Sequence, residues 1–565
     1  MQVVDYESKS GEDTSGKALR DAFNAILAAV KTQNSGNEEP LNPAPFMSWL
    51  DTADVDTYYF KYRNHANDGW TTLFEYDVET KALKVGYFYT KTEVGTLLAQ
   101  LEEEIVIGLT YKADKETTYS IDQVDALLAS VGNNIEQTTS PVVGLIWNQT
   151  DDAYKRISKN IDFTTIDGTG EFSAWLSPTA TRQNDNDTVS ISPFTKWLNN
   201  SVNLPYGAIG RYVVNSSGAE VKAYNADSYA HTDQTGILST QQVMVKIPKF
   251  YTIQAKVVDK GKTYHIYAIS KENFTLDLIS ELGFIAPVAT CWNPTTGVSS
   301  GTLAESVITS AIHPAFMDNS GGTLSQRYYG AFNGISGRSI CSNSVYATGG
   351  ITRAEARTSA QAFGSGFAIV DFFLRSALDI LTLVERGTFY FDTGKWRGYD
   401  WNTSASANDQ YNGLTLSLLN RTGVILDSSS RVIANSYRGI ENYHSALWNF
   451  VDGVNSNNYS IFLAKPKSTF TDDTTASPYF DSGYDVTSGA SSTYISDFSA
   501  GSFIPSAVGA TGTTKAMDGC WSATGSTVLI VGGALNNGAL SGLSTWFSVN
   551  ASSNAGWNIV GRPGL

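Results

Sequence analysis

The sequence predicts an α+β multidomain protein: an N-terminal helix, a small antiparallel β module, short trimeric coiled-coil segments and a large mixed C-terminal region. Three observations carry this. Apolar residues recur at helical spacing near the start and between Tyr89 and Ile135. Aromatic and polar residues alternate between Phe46 and Phe88. From about Pro141 onward, short apolar runs alternate with Gly, Asn and Ser turns. The periods of the three patterns, 3.6 for helix and 2 for strand, distinguish the elements.

The first helix runs from Ser15 to Lys31. Leu19, Phe23, Ile26, Leu27 and Val30 form its apolar stripe, and Ser15 is placed to cap it. A lone helix of this length is marginal in water, so the stripe calls for a docking surface or copies of itself. The polar, Pro-containing stretch from Asn34 to Pro45 reads as a linker, giving a docking segment over residues 1–40. Residues 41–88 hold the β module, with turn signals at Asn67-Asp68-Gly69 and Glu79-Thr80-Lys81.

Residues 89–140 contain an internal repeat. "YTKTEVGTLLAQL" from Tyr89 aligns without a gap on "YSIDQVDALLASV" from Tyr119. Val94, Leu98, Leu101 and Ile105 make one seam, and Ile121, Val124, Leu128, Val131 and Ile135 the other. Alternating steps of three and four are a coiled-coil signature. The same stripes also suit two amphipathic helices on a globular core. Placement between a β module and a large C-terminal region favours a stalk on a symmetry axis. Trimer follows from that architecture, since the seam residues alone leave two strands and three both open.

Within residues 141–565 one stretch is helical, from about Ala354 to Glu385. Phe363, Phe367, Val370, Phe373, Leu374, Ala377, Leu378, Leu381 and Val384 make a broad apolar face. Gly364 and Gly366 break it into two helices, and Gly387 ends the second.

Composition narrows the function. The chain has 565 residues, a net charge of −16 and 12% aromatic residues. That charge repels polyanions at long range, and no basic stripe offsets it, so nucleic acid is not an expected partner. No stretch approaches the ~18 apolar residues of a membrane helix, and the first residues lack the basic and apolar regions of a signal peptide. Membrane insertion is not expected. The three cysteines, Cys291, Cys341 and Cys520, lie far apart and form no CxxC. They give neither a disulfide framework nor a zinc site. The five histidines show no HExxH spacing, and no GxSxG or Walker motif occurs. Neither a metal nor another cofactor is called for. Asp371 and Asp452 read as fold residues rather than an acid–base pair. "DDTTASPYFDSGYD" (Asp472 to Asp485) reads equally as a weak calcium loop and as a solvated loop.

Several segments occur in an order that resembles a known family. They are "GLIWNQTDDAYKRIS" from Gly144, "QQVMVKIPKFYTI" from Gln241, "HPAF" from His313, the "TRAEAR…LTLVERGTF" helix, "YRGIENYHSALWNFVDGVN" from Tyr437 and the closing "GGALNNGALSGLSTWFSVNASSNAGWNIVGRPGL". Together they resemble phage tail-fibre and minor structural proteins with a C-type-lectin-like head, the fold shared with formylglycine-generating enzymes. The resemblance implies a C-type-lectin-like region over 141–565. It also implies a closing segment that returns to the core, with Leu529, Ile530, Val531 and Ile559 as core strand positions and Arg562 as a buried anchor. The intervals with Asn536, Asn537, Ser544, Trp546, Asn550, Asn554 and Trp557 then become a receptor-binding face. Taken singly, these residues read as turn formers and core aromatics.

The resulting expectation is a homotrimeric virion fibre protein and not an enzyme. Its N-terminus docks on other virion proteins, capsid or tail. Its heads adhere to a host cell-surface glycan or protein. It is made in the host cytoplasm and displayed on the virion surface after lysis. The alternatives are a capsid-attached head fibre with a decorative role and a polysaccharide-degrading tailspike. The tailspike needs two carboxylates about 5–10 Å apart in a groove. The enzymes of the resembled fold bind copper through a close cysteine pair, which Cys341 and Cys520 do not match in motif.

Overall fold

The computed structural model describes residues 35–36, 38, 48–54, 56–63, 69–77, 79, 83–85, 140–160, 175–176, 198, 204–223, 237–292, 299–303, 307–318, 320–391, 398–399, 411–418, 420–466, 468–472, 474–486, 493–499 and 502–565. The chain divides into two compact units, Met1–Gln137 and Thr138–Leu565. The Ser15–Lys31 helix and the seam positions from Val94 to Ile105 and from Ile121 to Ile135 lie outside the described residues.

In the first unit, Ser35–Gly36, Ser48–Asp51, Thr57–Arg63, Trp70–Asp77 and Leu83–Val85 form one sheet in chain order. The first pair is parallel and the others antiparallel. Aromatic contacts hold it. The rings of Trp49 and Trp70 lie 5.3 Å apart. Lys61 Nζ sits 5.1 Å above the Trp49 ring and 2.6 Å from Asp51 Oδ2. A cation over the face of a buried indole, held there by its counter-ion, is an attractive contact.

The second unit corrects the α+β expectation. Its described residues are mainly β-sheet, with sheets of eight, six and nine strands and several two- or three-stranded ones. The α-helices bounded among the described residues are two, α1 (Arg353–Gln361) and α2 (Phe372–Arg386). The physical reason is that α2 acts as a core element between sheets and forms no helical layer. All fifteen of its residues are buried. Phe373, Leu374, Ala377, Leu378, Leu381 and Val384 share one apolar cluster with Val143, Leu145 and Trp147 of the eight-stranded sheet. Val243, Val245 and Tyr329 of the six-stranded sheet and Val451, Ile495 and Leu529 of the nine-stranded sheet complete it. Its broad apolar face calls for cover by the sheets, and its polar residues, Arg375, Asp379 and Glu385 among them, need partners inside the core.

The helix ends follow from local chemistry. Thr352 and Glu355 form a capping box on α1, with the Glu355 N–H donating to Thr352 Oγ1 at 3.2 Å. Asp371 caps α2 and accepts from the Leu374 N–H at 2.9 Å. Gly387, in the left-handed region at φ 83°, ends it by donating to the Leu383 carbonyl. The two carboxylates on α2 lie beside arginines in the core, although burial still raises the Asp379 carboxyl to about 7. Glu385 takes two hydrogen bonds from Arg438, at 2.7 and 3.0 Å. Arg375 Nε lies 2.8 Å from Asp379 Oδ1.

The closing segment threads two sheets. Ser526–Val531 and Trp546–Ser548 are inner strands of the nine-stranded sheet, and Ile559–Gly561 pairs in parallel with Trp448–Phe450. Pro563–Gly564 then crosses to the six-stranded sheet, between Gln326–Gly330 and Ala368–Ile369. Tyr328 and Leu565 exchange both backbone hydrogen bonds, at 2.9 and 3.0 Å.

Candidate functional site

The candidate site is the surface of the closing segment, and its foundation is Arg562. This residue is fully buried. Its Nη1 donates to the Gly330 carbonyl at 3.0 Å. Its Nη2 donates to Asn333 Oδ1 at 2.6 Å and to the carbonyls of Glu441 and Asn442 at 2.8 and 2.9 Å. Nε reaches Asn449 Oδ1 at 3.3 Å. Its acceptors are neutral carbonyl oxygens rather than a carboxylate, and burial lowers its pKa to about 10. One side chain thus ties together four turns and strands. Leu529, Ile530, Val531 and Ile559 are buried, as their apolar run requires.

Above this anchor sits an aromatic cluster that local sequence reading missed. The rings of Trp448, Trp521 and Phe547 lie 5.2 to 5.9 Å apart, centroid to centroid. Trp521 reaches across Gly519, where a Cβ would lie 2.5 Å from the indole and 2.9 Å from the Leu540 carbonyl. Phe547 is half-buried, as are Leu540, Val549 and Ile351 packed on the same cluster. The only sequence signal was the pair of aromatics in "WNF" and "CWS", on strands distant in the chain.

The seven predicted contact residues divide. Asn536, Asn554 and Trp557 are exposed, and Trp557 keeps 39% of its surface. Asn537 and Asn550 are half-buried. Ser544 and Trp546 correct the prediction, being 5% and 2% exposed. Trp546 lies in an inner strand, packs edge-on against Phe372 at 6.5 Å and donates its Nε1–H to Ser548 Oγ at 3.0 Å. The Ser544 N–H donates to Asp518 Oδ2 at 2.6 Å. Both residues therefore belong to the core.

The exposed residues stand on rigid turns. Asn537 Oδ1 accepts from the Ala534 N–H at 2.8 Å, and Asn554 Oδ1 from the Gly556 N–H at 3.2 Å. Trp557 follows Gly556, whose carbonyl accepts from the Gly350 N–H. Leu540, Val549 and Ile559, neighbours of these turns in the chain, all seat on the Trp448–Trp521–Phe547 cluster. The three loops are thus anchored on one apolar base and present neutral polar groups and one indole.

Asp371, Asp452 and Asp472, the acidic groups that the sequence raised, are paired with arginines. Asp371 and Asp452 form a backbone bridge, yet each carboxylate has its own arginine. Arg327 Nη2 lies 2.8 Å from Asp371 Oδ2, and Arg357 holds Asp452 bidentately at 2.6 and 2.7 Å. Asp472 sits between Arg353 and Arg357 at 2.8 and 2.9 Å. Burial pushes its pKa up, but the two arginines outweigh this and hold it below the ordinary carboxylate value. His313 is buried beside Phe250 and Phe316 and accepts from the Ala315 N–H, and burial lowers its pKa to about 3. His265 is buried against Asp497 at 2.7 Å. Cys520 is a buried core residue, and burial raises the Cys341 thiol to about 12. Among the described residues, no three His, Cys, Asp or Glu gather as a metal site, and no helix is long and apolar enough to cross a membrane. His65 and His231 lie outside the described residues.

No protein-family model matches the sequence, and the search of curated proteins returns no relative.

Proposed function

We propose that the chain is a phage virion fibre protein whose larger unit adheres to a host cell-surface glycan or protein. The observation that carries the reading is the closing segment itself. It is free of charge apart from one fully buried arginine, and it holds Asn536, Asn554 and Trp557 outward on turns fixed to a buried base. Fixed amide groups and an exposed indole bind neutral polar surfaces with little ordering cost. Binding rather than catalysis is the proposed activity, consistent with arginine pairing of Asp371, Asp452 and Asp472. We also propose a homotrimer on the virion surface, docked through the N-terminal unit to other virion proteins. Three linked sites raise avidity by effective concentration without any new contact.

Light scattering on the full chain, with binding to a printed array of bacterial surface polysaccharides and to bacterial cells, tests this. Threefold mass with retained binding that falls on Trp557→Ala supports the proposal. A trimer that binds nothing on array or cells points to a decorative capsid fibre. Release of reducing ends from a bound polysaccharide makes it a tailspike. A monomer removes the avidity argument.

A further inference from the structure

A second site lies beside the end of α1, a helix whose Ala356 and Ala360 pack on the aromatic cluster. A cleft of about 330 Å³ opens between the α1–α2 connection and the loop before Phe470. Small-molecule sites begin at about this volume. Its lining includes Gln361, Ser365, Ser468, Phe367, Phe470 and the Arg327–Asp371 pair.

The walls are built. Phe367 and Phe470 are buried apolar groups. Phe367 meets Phe363 edge-on at 4.9 Å. The connection is locked at Gly364, where a Cβ would lie 1.9 Å from the Ser216 carbonyl oxygen. No other residue permits that approach.

The base is charged but saturated. Arg327 spends Nη2 on Asp371 at 2.8 Å, Nε on the Leu565 carbonyl at 3.3 Å and Nη1 on the Ala315 carbonyl at 3.5 Å. Asp371 accepts from Arg327 and from the cap of α2. An anionic ligand therefore finds no uncommitted cation here, and a cation no uncommitted carboxylate. By contrast, the side chains of Gln361, Ser365 and Ser468 hydrogen-bond to no protein group among the described residues. They offer neutral donors and acceptors, adjoining apolar rings.

We propose that this cleft binds one neutral, polyhydroxylated ligand of hexose size. Hydroxyls would pair with Gln361, Ser365 and Ser468, and the ring's C–H groups would lie against the Phe367 and Phe470 side. The inference does not rest on the closing-segment reading: Gly564 of that segment borders the cleft, but none of the seven predicted contact residues does.

Saturation-transfer NMR on the full chain tests it, with D-glucose, D-galactose and N-acetyl-D-glucosamine as probes and D-glucuronate as the charged control. A neutral sugar should receive saturation. Ser365→Trp, an exposed position whose new ring fills the cleft, should weaken that sugar about tenfold or more. Gln361→Ala should weaken it severalfold without filling anything, and it serves if the tryptophan variant does not fold. The same comparison is made in a Trp557→Ala background, so that sugar held by the closing segment does not enter the readout. The proposal is overturned if none of the sugars is saturated, or if a folded Ser365→Trp or Gln361→Ala variant binds as before. Tighter binding of glucuronate overturns it too, as does loss on Trp557→Ala alone, which would move the sugar to the closing segment.

Discussion

Trp546 and Trp557 belong to one charge-poor segment, and similar small polar residues flank both, yet they do opposite work. Trp546 is closed in by strands on both sides and by α2, so its whole ring is removed from water. Trp557 sits in a turn between Gly556 and Asn558, whose carbonyls accept from the Gly350 and Trp448 N–H groups, and part of its ring faces water. A segment's composition therefore does not tell whether its aromatics build the core or the surface. The neighbours that non-local pairing supplies decide it. The buried half, with Arg562, makes the fold, and the half carrying Asn536, Asn554 and Trp557 is free to recognise something else.

The comparison is broken most severely at its anchor. Arg562→Met keeps most of the volume but leaves the acceptors of Gly330, Asn333, Glu441 and Asn442 buried without a donor. Each such group costs ~1–3 kcal/mol, so the loss in urea unfolding should reach about 5 kcal/mol. Trp546→Ala comes next. It should cost roughly 3–5 kcal/mol, the range for deleting a buried aromatic, and should impair binding only through unfolding.

Acid affects the buried half through His313. Its folded pKa is about 3, and its unfolded value is ~6.5. Between these values the unfolded chain binds more protons, so stability falls as pH drops below ~6.5. Going from pH 7 to pH 5 should cost the larger unit about 2 kcal/mol from this group. His265, lowered by burial, acts in the same direction. In His313→Gln the slope between pH 7 and 5 should flatten, as read by urea unfolding at each pH. An unchanged slope would assign it to other groups. The smaller stability effects belong to the exposed half. Trp557→Ala, which removes a partly covered ring, should cost roughly 1 kcal/mol, and Asn536→Ala less than ~0.5 kcal/mol.

The local features were legible because they have local causes. The helical period between Ala354 and Glu385, its interruption near Gly364 and its end at Gly387 appear as α1 and α2. The burial of Leu529–Val531 and the anchoring of Arg562 came from the resemblance rather than from local pattern, since the acceptors of Arg562 lie more than 100 residues away in the chain. The fold class could not be read that way. Helical stripes stand out in a sequence, whereas a strand as short as Pro563–Gly564 finds its partners, at Tyr329 and Ala368–Ile369, far away in the chain. The candidate site was half legible. Asn and Gly turns announce themselves, but the burial of Ser544 and Trp546 depends on Asp518, Phe372 and Ser526–Val531 meeting them in space. The cleft was invisible, because Arg327, Gln361, Ser365 and Ser468 come together only through tertiary packing.

The central claim is that the closing segment separates folding from recognition, and the two tryptophans test it most directly. The measurement is cell binding by full-length Trp557→Ala, with its melting temperature recorded on the same sample. A melting temperature within a few degrees of the parent and a clear loss of binding are expected. A folded Trp557→Ala protein that binds cells as the parent does would contradict it.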